Sequence, residues 1–219
     1  MLSQYFNLQE FEQSDGGTAM RIVSLNCRVW TRDTDRKSPR WWRRRMERIR
    51  RFITDEAPDV LCLQELSFPA NLWIPKGYRR VGLSASHHIY VRRGIKARPL
   101  WFAIHHNAAE VEGVRVINVH GTWRKCMGKV WERLRREAEK RPCLMVGDFN
   151  HSPAAVAGRL GKEVEDIGDV TFRHNFTGSP GSLDHCAAFG LSVVSCGVVN
   201  DGFMMSDHLP LVIEIKTQT

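Results

Sequence analysis

Short apolar runs that stop on a polar side chain recur along this chain and set the reading of its elements. Met20-Arg21-Ile22-Val23-Ser24-Leu25-Asn26 predicts a first strand, opened after the Gly16-Gly17 break and closed at Asn26. Asp59-Val60-Leu61-Cys62-Leu63-Gln64-Glu65 is a second, buried strand that ends in a carboxylate. In the middle of the chain Val114 to His120 is the strongest pattern, finishing in His120 before Gly121. Cys143-Leu144-Met145-Val146-Gly147-Asp148-Phe149-Asn150 then delivers an acid and an amide to a strand's carboxyl end, where open α/β sheets place ligands. Fainter strand patterns fall near 80–83, 88–91, 100–104, 170–172, 183–189, 191–199 and 211–215.

Helical periodicity fills the gaps. Ser38-Pro39 reads as a helix start with proline at its first position, and the helix runs to about Glu56 before Pro58. Trp42, Met46, Ile49, Phe52 and Ile53 share one face at three- and four-residue spacing, and the other face is dense in arginine. A second helix over 128–140 packs through Val130, Leu134 and Trp131 and crosses over to the strand at Cys143, and a short third helix covers 153–160. Trp42 and Trp101 are expected in the core, while Trp41, Trp123 and Phe203 are candidates for aromatic contacts with a partner. The alternation of elements gives an α/β fold. Residues 1–19 read as an appendage, either disordered or covering a sheet edge, ahead of one domain over 20–219.

Composition adds few constraints and charge adds a strong one. With 219 residues, 42% hydrophobic and 26% charged, the chain has the make-up of a soluble globular protein with one sizeable core. No run approaches the roughly 18 apolar residues of a membrane span. The first 17 residues lack a basic start and an apolar stretch, so no secretory signal is read and a cytoplasmic location is expected. Of six cysteines, Cys27, Cys62, Cys143 and Cys196 lie in strand-like runs and none forms a CxxC pair, which favours buried reduced thiols over disulfides or zinc. The net charge of +8 is local: twelve Arg or Lys against three acids between Arg21 and Arg51, and six against none between Arg79 and Arg98. A polyanion, most naturally nucleic acid, is the expected partner, with a merely solvated basic face as the alternative. Nothing fixes the oligomeric state, and a monomer is the default.

Six polar stations close the strand patterns: Asn26, Glu65, His120, Asp148 with Asn150, Asp184 with His185, and Asp207 with His208. Hard oxygens and imidazoles without a thiolate cluster favour Mg²⁺ or Mn²⁺. Glu65 is the best ligand, since an unpaired carboxylate closing an apolar strand is costly to bury, although a salt bridge to a nearby arginine would also satisfy it. Asp148 can take a proton from a water that Asn150 holds in line. His208 can contact a phosphate and stabilise its growing charge if a buried carboxylate orients it, and Asp184 is the candidate.

Asn26, Leu63-Gln64-Glu65, Gly147-Asp148-Phe149-Asn150, Ser182-Leu183-Asp184-His185 and Ser206-Asp207-His208-Leu209-Pro210 resemble, in order and spacing, the motifs of the endonuclease/exonuclease/phosphatase superfamily, from about Met20 to Ile215. The resemblance implies a four-layer α/β sandwich of two facing, mostly antiparallel sheets flanked by helices, here compact with short loops, and phosphoester hydrolysis with a divalent metal, usually Mg²⁺. It further implies that Asn26 helps hold phosphate and metal, Glu65 binds the metal, and Asp148 and Asn150 activate and orient water. Asp184 would orient His208 on the scissile phosphate, and Asp207 would lie near the metal or its waters. His120 resembles the second histidine of the DNase I-like branch and Arg28 that branch's phosphate-contacting arginine. Where that branch backs its histidine with a glutamate, this chain reads Ser86-His87-His88-Ile89-Tyr90. The expected function is a nuclease on DNA, with Arg28, Arg32, Lys37, Arg40, Arg43, Arg44, Arg124 and Lys125 on backbone phosphates. The alternatives are a phosphatase or phosphodiesterase on small or lipid-linked phosphates, and an inactive nucleic-acid-binding protein on the same fold.

Overall fold

The computed structural model describes residues 18–29, 39–66, 70–84, 86–121, 127–165, 167, 170–173, 179–199 and 205–217, excepting the side chains of 18, 39–42, 71 and 83. Thirteen strands and three helices follow one another among them. They are β1 (Thr18–Val29), α1 (Pro39–Glu56), β2 (Val60–Leu66), β3 (Tyr78–Leu83), β4 (His88–Arg92), β5 (Ala97–Phe102), β6 (His106–Val111), β7 (Val114–His120) and α2 (Met127–Ala138). The rest are β8 (Cys143–Asp148), α3 (Pro153–Leu160), the two-residue β9 (Phe172–Arg173) and β10 (Pro180–Gly181), β11 (Asp184–Phe189), β12 (Ser192–Val198) and β13 (Leu211–Thr217). The first and third helices fall where their prolines predicted. Ser152 caps α3, its hydroxyl accepting from Ala155 N, and Gly161 closes it in the left-handed conformation.

Strand alternation builds the layers. Along β1 and β2, Ile22, Val60 and Cys62 face one way, while Val23, Leu25, Leu61 and Leu63 face the other. The first set joins Val116, Leu144, Val146, Cys186 and Ile213 in a core between two sheets. The second packs under Met46, Ile49 and Ile53 of α1. On the far side Ile117, Val119, Met145 and Ala187 pack against Trp131 and Leu134 of α2 and Val156 of α3. Both faces of each central strand are therefore dry, which is why these strands read as continuous apolar runs. The result is a four-layer α/β sandwich: α1, a six-stranded sheet ordered β12-β13-β1-β2-β4-β3, a five-stranded sheet ordered β11-β8-β7-β6-β5, and the α2–α3 layer. Two pairs are parallel, β1 with β2 and β7 with β8, each joined through a helix, and the other neighbours within these sheets are antiparallel.

Several expectations need correcting. The strand placed near 100–104 lies at 97–102, and β6 was not foreseen because His106-Asn107-Ala108-Ala109-Glu110-Val111 carries little apolar bulk. Small side chains suit β6, whose Ala108 and Ala109 are fully buried, one under the α2 side and one between the sheets. Trp101 is half-buried on the edge strand β5, with the Arg133 guanidinium 4.0 Å over its ring. The arginines of α1 do not all face water: Arg45 is buried and donates to Cys27 O (3.2 Å) and Arg28 O (3.0 Å), pinning the helix to the end of β1. Residues 18 and 19, read as the end of an appendage, belong to β1, and 1–17 lie outside the described residues, as do Trp123 and Phe203 and the side chains of Trp41 and Trp42. Cys27, Cys62, Cys143, Cys186 and Cys196 are free thiols, the first four buried. Among the described residues no helix is long and apolar enough to cross a membrane.

Candidate active site

Parallel strands share a carboxyl end, and this topology gathers the polar stations. Asn26 pairs with Gln64 in the β1/β2 register and His120 with Asp148 in the β7/β8 register. Antiparallel strands begin at the same end: Asp184 opens β11 opposite Asp148, and His208 precedes β13, whose Leu211 faces Ser24. Backbone geometry turns the chain away there. Arg28, Glu65 and Asn150 adopt positive φ of 45°, 52° and 53°, and the β1/β2 register slips between Asn26 and Val29. Left-handed backbone in non-glycine residues costs about 1 kcal/mol or more each, and it concentrates at functional sites.

Two glycines let the ends approach. A Cβ on Gly147 would lie 2.1 Å from Val119 O, and one on Gly121 would lie 2.0 Å from Phe149 O. The space permits Gly121 N to donate to Asp148 O (2.6 Å) and Gly121 O to accept from Asn150 Nδ2 (3.1 Å).

Asp148 is the centre. Its Oδ2 accepts from Asn26 Nδ2 and Asn150 Nδ2, each at 3.0 Å, and its Oδ1 accepts from the Asn150 backbone N–H at 2.8 Å. On Oδ2 also converge His120 Nε2 at 3.8 Å and His208 Nε2 at 3.9 Å. Burial pushes the Asp148 carboxyl up to about 6, with Asp184 adding to the effect and the two imidazoles opposing it. Beside it, Glu65 Oε1 accepts from Asn26 Nδ2 (3.2 Å) and lies 3.3 Å from His120 Nε2. His208 Nδ1 binds Asp184 Oδ2 at 2.8 Å, and the Phe172 ring lies tilted against the imidazole, its centroid 4.8 Å away. Burial works against the His208 imidazolium, yet Asp184, Asp148 and Asp207 outweigh it and hold this group up at about 10. At His120 burial is likewise outweighed, by Glu65 and Asp148, and the net shift is upward.

Among the described residues two donor groups lie close enough to share an ion, Glu65–His120–Asp148 and Asp148–Asp184–His208, each with its ligand atoms within 4.8 Å. Buried carboxylates crowded on one another, with amides and imidazoles and no thiolate, fit a hard divalent cation. Asp207 lies in neither group: its carboxylate is taken by the Arg28 guanidinium, and the Ser206 hydroxyl donates to it at 3.3 Å. Arg28 itself is held by its N–H on Asn26 Oδ1 (3.0 Å). His185, grouped with Asp184 in the sequence, points to the opposite face as strand alternation demands, and its ring bonds His151 O at 2.8 Å. Arg43 and Arg44 are exposed on α1. Arg32, Lys37, Arg124 and Lys125 lie outside the described residues, as does the side chain of Arg40.

Thr171, inside the faint 170–172 strand pattern, was not among the candidate site residues. Fully buried, it accepts from Leu183 N (2.9 Å) and Asp184 N (3.0 Å) through its hydroxyl and from Leu209 N (2.7 Å) through its carbonyl, tying the Asp184 and His208 segments together. A lone threonine in a loop carries no pattern that would announce this. His120 is backed by the first of the two histidines in Ser86-His87-His88: His87 Nε2 stands 2.7 Å from His120 Nδ1. Burial, then the neighbouring His120, His88 and His105 rings, lowers His87 to about 3.

A model of the Endonuclease/Exonuclease/phosphatase family matches residues 5–208 of this sequence. The chain belongs to that family. The match starts inside the segment read as an appendage. Among solved structures the fold is similar to the endonuclease domain of TRAS1, a telomere-specific non-LTR retrotransposon, with TM-score 0.72 and 13% identity over 92% of this chain and 100% of that one. An AP endonuclease from Leishmania major aligns at TM-score 0.68 and 15% identity over 91% of this chain and 88% of its own. An endonuclease/exonuclease/phosphatase from Bacteroides vulgatus aligns at 0.68 and 16% over 92% and 100%. At such identities the likeness is one of fold. The sequence finds no match among curated proteins. Within this family's fold, the acid–imidazole cluster is suited to metal-dependent phosphoester chemistry.

Proposed function

We propose that the protein is a divalent-metal-dependent nuclease that hydrolyses phosphodiester bonds of DNA. The observation that carries the reading is the sharing of Asp148 between two imidazoles and two amides, one imidazole braced by a buried carboxylate. Glu65, with the Asn26 amide beside it, would hold Mg²⁺, for which Mn²⁺ can substitute, and Asp207 acts at the edge of that site through Arg28. Bound there, the ion supplies Lewis-acid polarisation of a phosphate oxygen.

The remaining steps belong to side chains. Asp148 takes a proton from the attacking water, and its raised affinity for protons makes it a better base than a solvated carboxylate. Asn150, bonded to both Asp148 and Gly121 O, fixes the direction from which that water approaches. The water oxygen bonds to phosphorus as the ester oxygen leaves. His208, kept cationic by Asp184, meets the phosphate and gains strength as charge accumulates on it. Arg28 and Asn26 steady the phosphate, and His120 assists at the leaving side. Support for DNA comes from the basic α1 face, where Arg43 and Arg44 are exposed, and from two structural neighbours that bear endonuclease names.

A substrate panel of duplex DNA, RNA, an abasic duplex and inositol phosphates, run with Mg²⁺ and with EDTA, tests this. DNA cleavage that EDTA abolishes is expected, with affinity falling steeply as salt rises. Turnover of inositol phosphates alone would replace the nuclease reading with the phosphatase one.

A further inference from the structure

Of the five large apolar side chains left exposed among the described residues, two stand on the tip of one hairpin beside the site: Phe102 (75% exposed) and Ile104 (81%). Strands β5 and β6 meet there in a turn closed by the Ala103 N–H, which donates to His106 O at 2.8 Å. His106 lies opposite Val119 in the β6/β7 register, and His120 N donates to His105 O at 2.8 Å, so the turn sits against the end of β7 that carries His120. Phe102 lies opposite Asn107, whose amide reaches His87 O at 2.9 Å across the space between the sheets. Opposed residues share a face, so Phe102 is on that same side. Strands β8, β7, β6 and β5 are successive neighbours about 4.8 Å apart, which puts the tip about 10–15 Å from Asp148. A phosphate held at Asp148 would have its neighbouring nucleotides within reach of the tip.

Folding does not ask for these two side chains. Turn tips favour glycine, asparagine and aspartate, and neither residue is buried here. Nor does β5 offer its free edge to another strand, because Pro99, the register shift between Pro99 and Trp101 and the exposed Arg98 blunt it. A bilayer would gain too little from them: the two side chains together carry fewer carbons than one myristoyl chain, which alone holds a protein to a membrane only marginally. What suits a flat ring and a branched aliphatic group beside a phosphodiester is the face of a base, which stacks on an aromatic side chain whatever the sequence. Inside a closed duplex those faces are covered by the neighbouring base pairs, so the base that fits is an unpaired one.

We propose that Phe102 and Ile104 form a subsite for an unpaired base on the His120 side of the scissile phosphodiester, which makes the enzyme favour single-stranded or frayed DNA over closed duplex. The assignment rests on the nuclease reading above and names the form of substrate that this site takes.

Binding is read in EDTA, without turnover, by fluorescence anisotropy of three labelled oligonucleotides of one length: a thymidine strand, the same strand with abasic spacers throughout, and a closed hairpin duplex. The first two carry equal phosphates, so a difference between them reports the bases. The protein should bind the thymidine strand about 5-fold or more tighter than the abasic one, and Phe102→Ala combined with Ile104→Ser should abolish that preference while changing affinity for the abasic strand and the duplex by less than about 2-fold. Phe102→Trp keeps a ring face and should retain the preference. Both positions are exposed, so the variants should unfold at the same urea concentration as the parent protein. Equal binding of the two strands by the parent, a preference that survives the double variant, or an equal loss on all three oligonucleotides would overturn the proposal. Sedimentation with phosphatidylserine-containing vesicles that the double variant abolishes would also overturn it and assign the tip to a lipid surface. Mg²⁺-dependent DNA cleavage without the preference for bases would defeat the subsite alone, whereas the preference in a protein that cleaves no DNA would defeat the nuclease reading and leave a base-binding tip.

Discussion

At the scale of residues, the site is a set of charges made tolerable by one another. Asp184 illustrates the dependence. It gives His208 a charge partner inside a dry pocket, so Asp184→Asn should cut kcat by about 10²-fold or more and lower the melting temperature as well, because His208 loses the partner that makes its buried charge tolerable. His208 is held up at about 10, so it stays cationic below that pH and loses its proton as pH rises through it. Without the Asp184 charge, the fall in rate on the alkaline side should move to lower pH, which a pH–rate profile of the variant reads directly. Glu65→Gln and His208→Ala should each remove most turnover with the fold intact, and normal turnover in both would sink the mechanism. Gly147 is a different kind of residue. A methyl group there would meet Val119 O at 2.1 Å, in a backbone conformation (φ 140°) that side chains rarely adopt. Gly147→Ala should lose about 3 kcal/mol or more in urea unfolding.

At the scale of elements, what holds the strand ends in register is a polar network in the otherwise dry space between the sheets. Asn118 of β7 donates to Leu63 O of β2 and His88 O of β4, both at 3.0 Å, and accepts from Gln64 Nε2 at 2.7 Å. Gln64 Nε2 also reaches the Ser24 hydroxyl of β1 at 3.0 Å. One amide thereby fixes how the β1–β2 pair sits over the β7–β8 pair, and with it the distance from Glu65 to His120. Asn118→Leu leaves several buried groups without partners and should cost about 3 kcal/mol or more in chemical denaturation. The pair is coupled, so Gln64→Leu combined with Asn118→Leu should cost less than the sum of the single variants.

Over the whole molecule, buried neutral histidines set the acid limit. Burial comes first among the causes that lower His87 to about 3 and His88 and His106 to about 4. These rings bind fewer protons folded than unfolded below the ordinary imidazole range. Their stabilisation is therefore present above about pH 6.5 and is lost as pH falls toward 4. His106 offers a clean test away from the Asp148 cluster. It is buried beside Trp101, and neither ring nitrogen has a hydrogen-bond partner among the described residues. His106→Leu should flatten the loss of stability between about pH 6.5 and 4 by roughly 2 kcal/mol, measured by urea unfolding across that range. An unchanged slope would show that His106 is protonated in the folded state as well.

By itself the sequence determined the parts that obey local rules. Doubly buried strands show as apolar runs, α1 and α3 begin at proline, and a strand's final polar residue stands out because nothing apolar follows it. That sufficed for an α/β fold and for singling out Asn26, Glu65, His120, Asp148 and Asn150, whereas the four-layer arrangement and the roles of Asp184 and His208 came with the family resemblance. Periodicity could not find β6, because a central strand in tight quarters is chosen for smallness. Nor could it find Thr171, Arg45 or the pairing of Asp207 with Arg28, since each depends on partners distant in the chain. Only the tertiary structure decided that His87, rather than His88, reaches His120. Successive strand residues point to opposite faces, so a choice between neighbours in sequence is settled by the register of β4 in its sheet and by the turn before it.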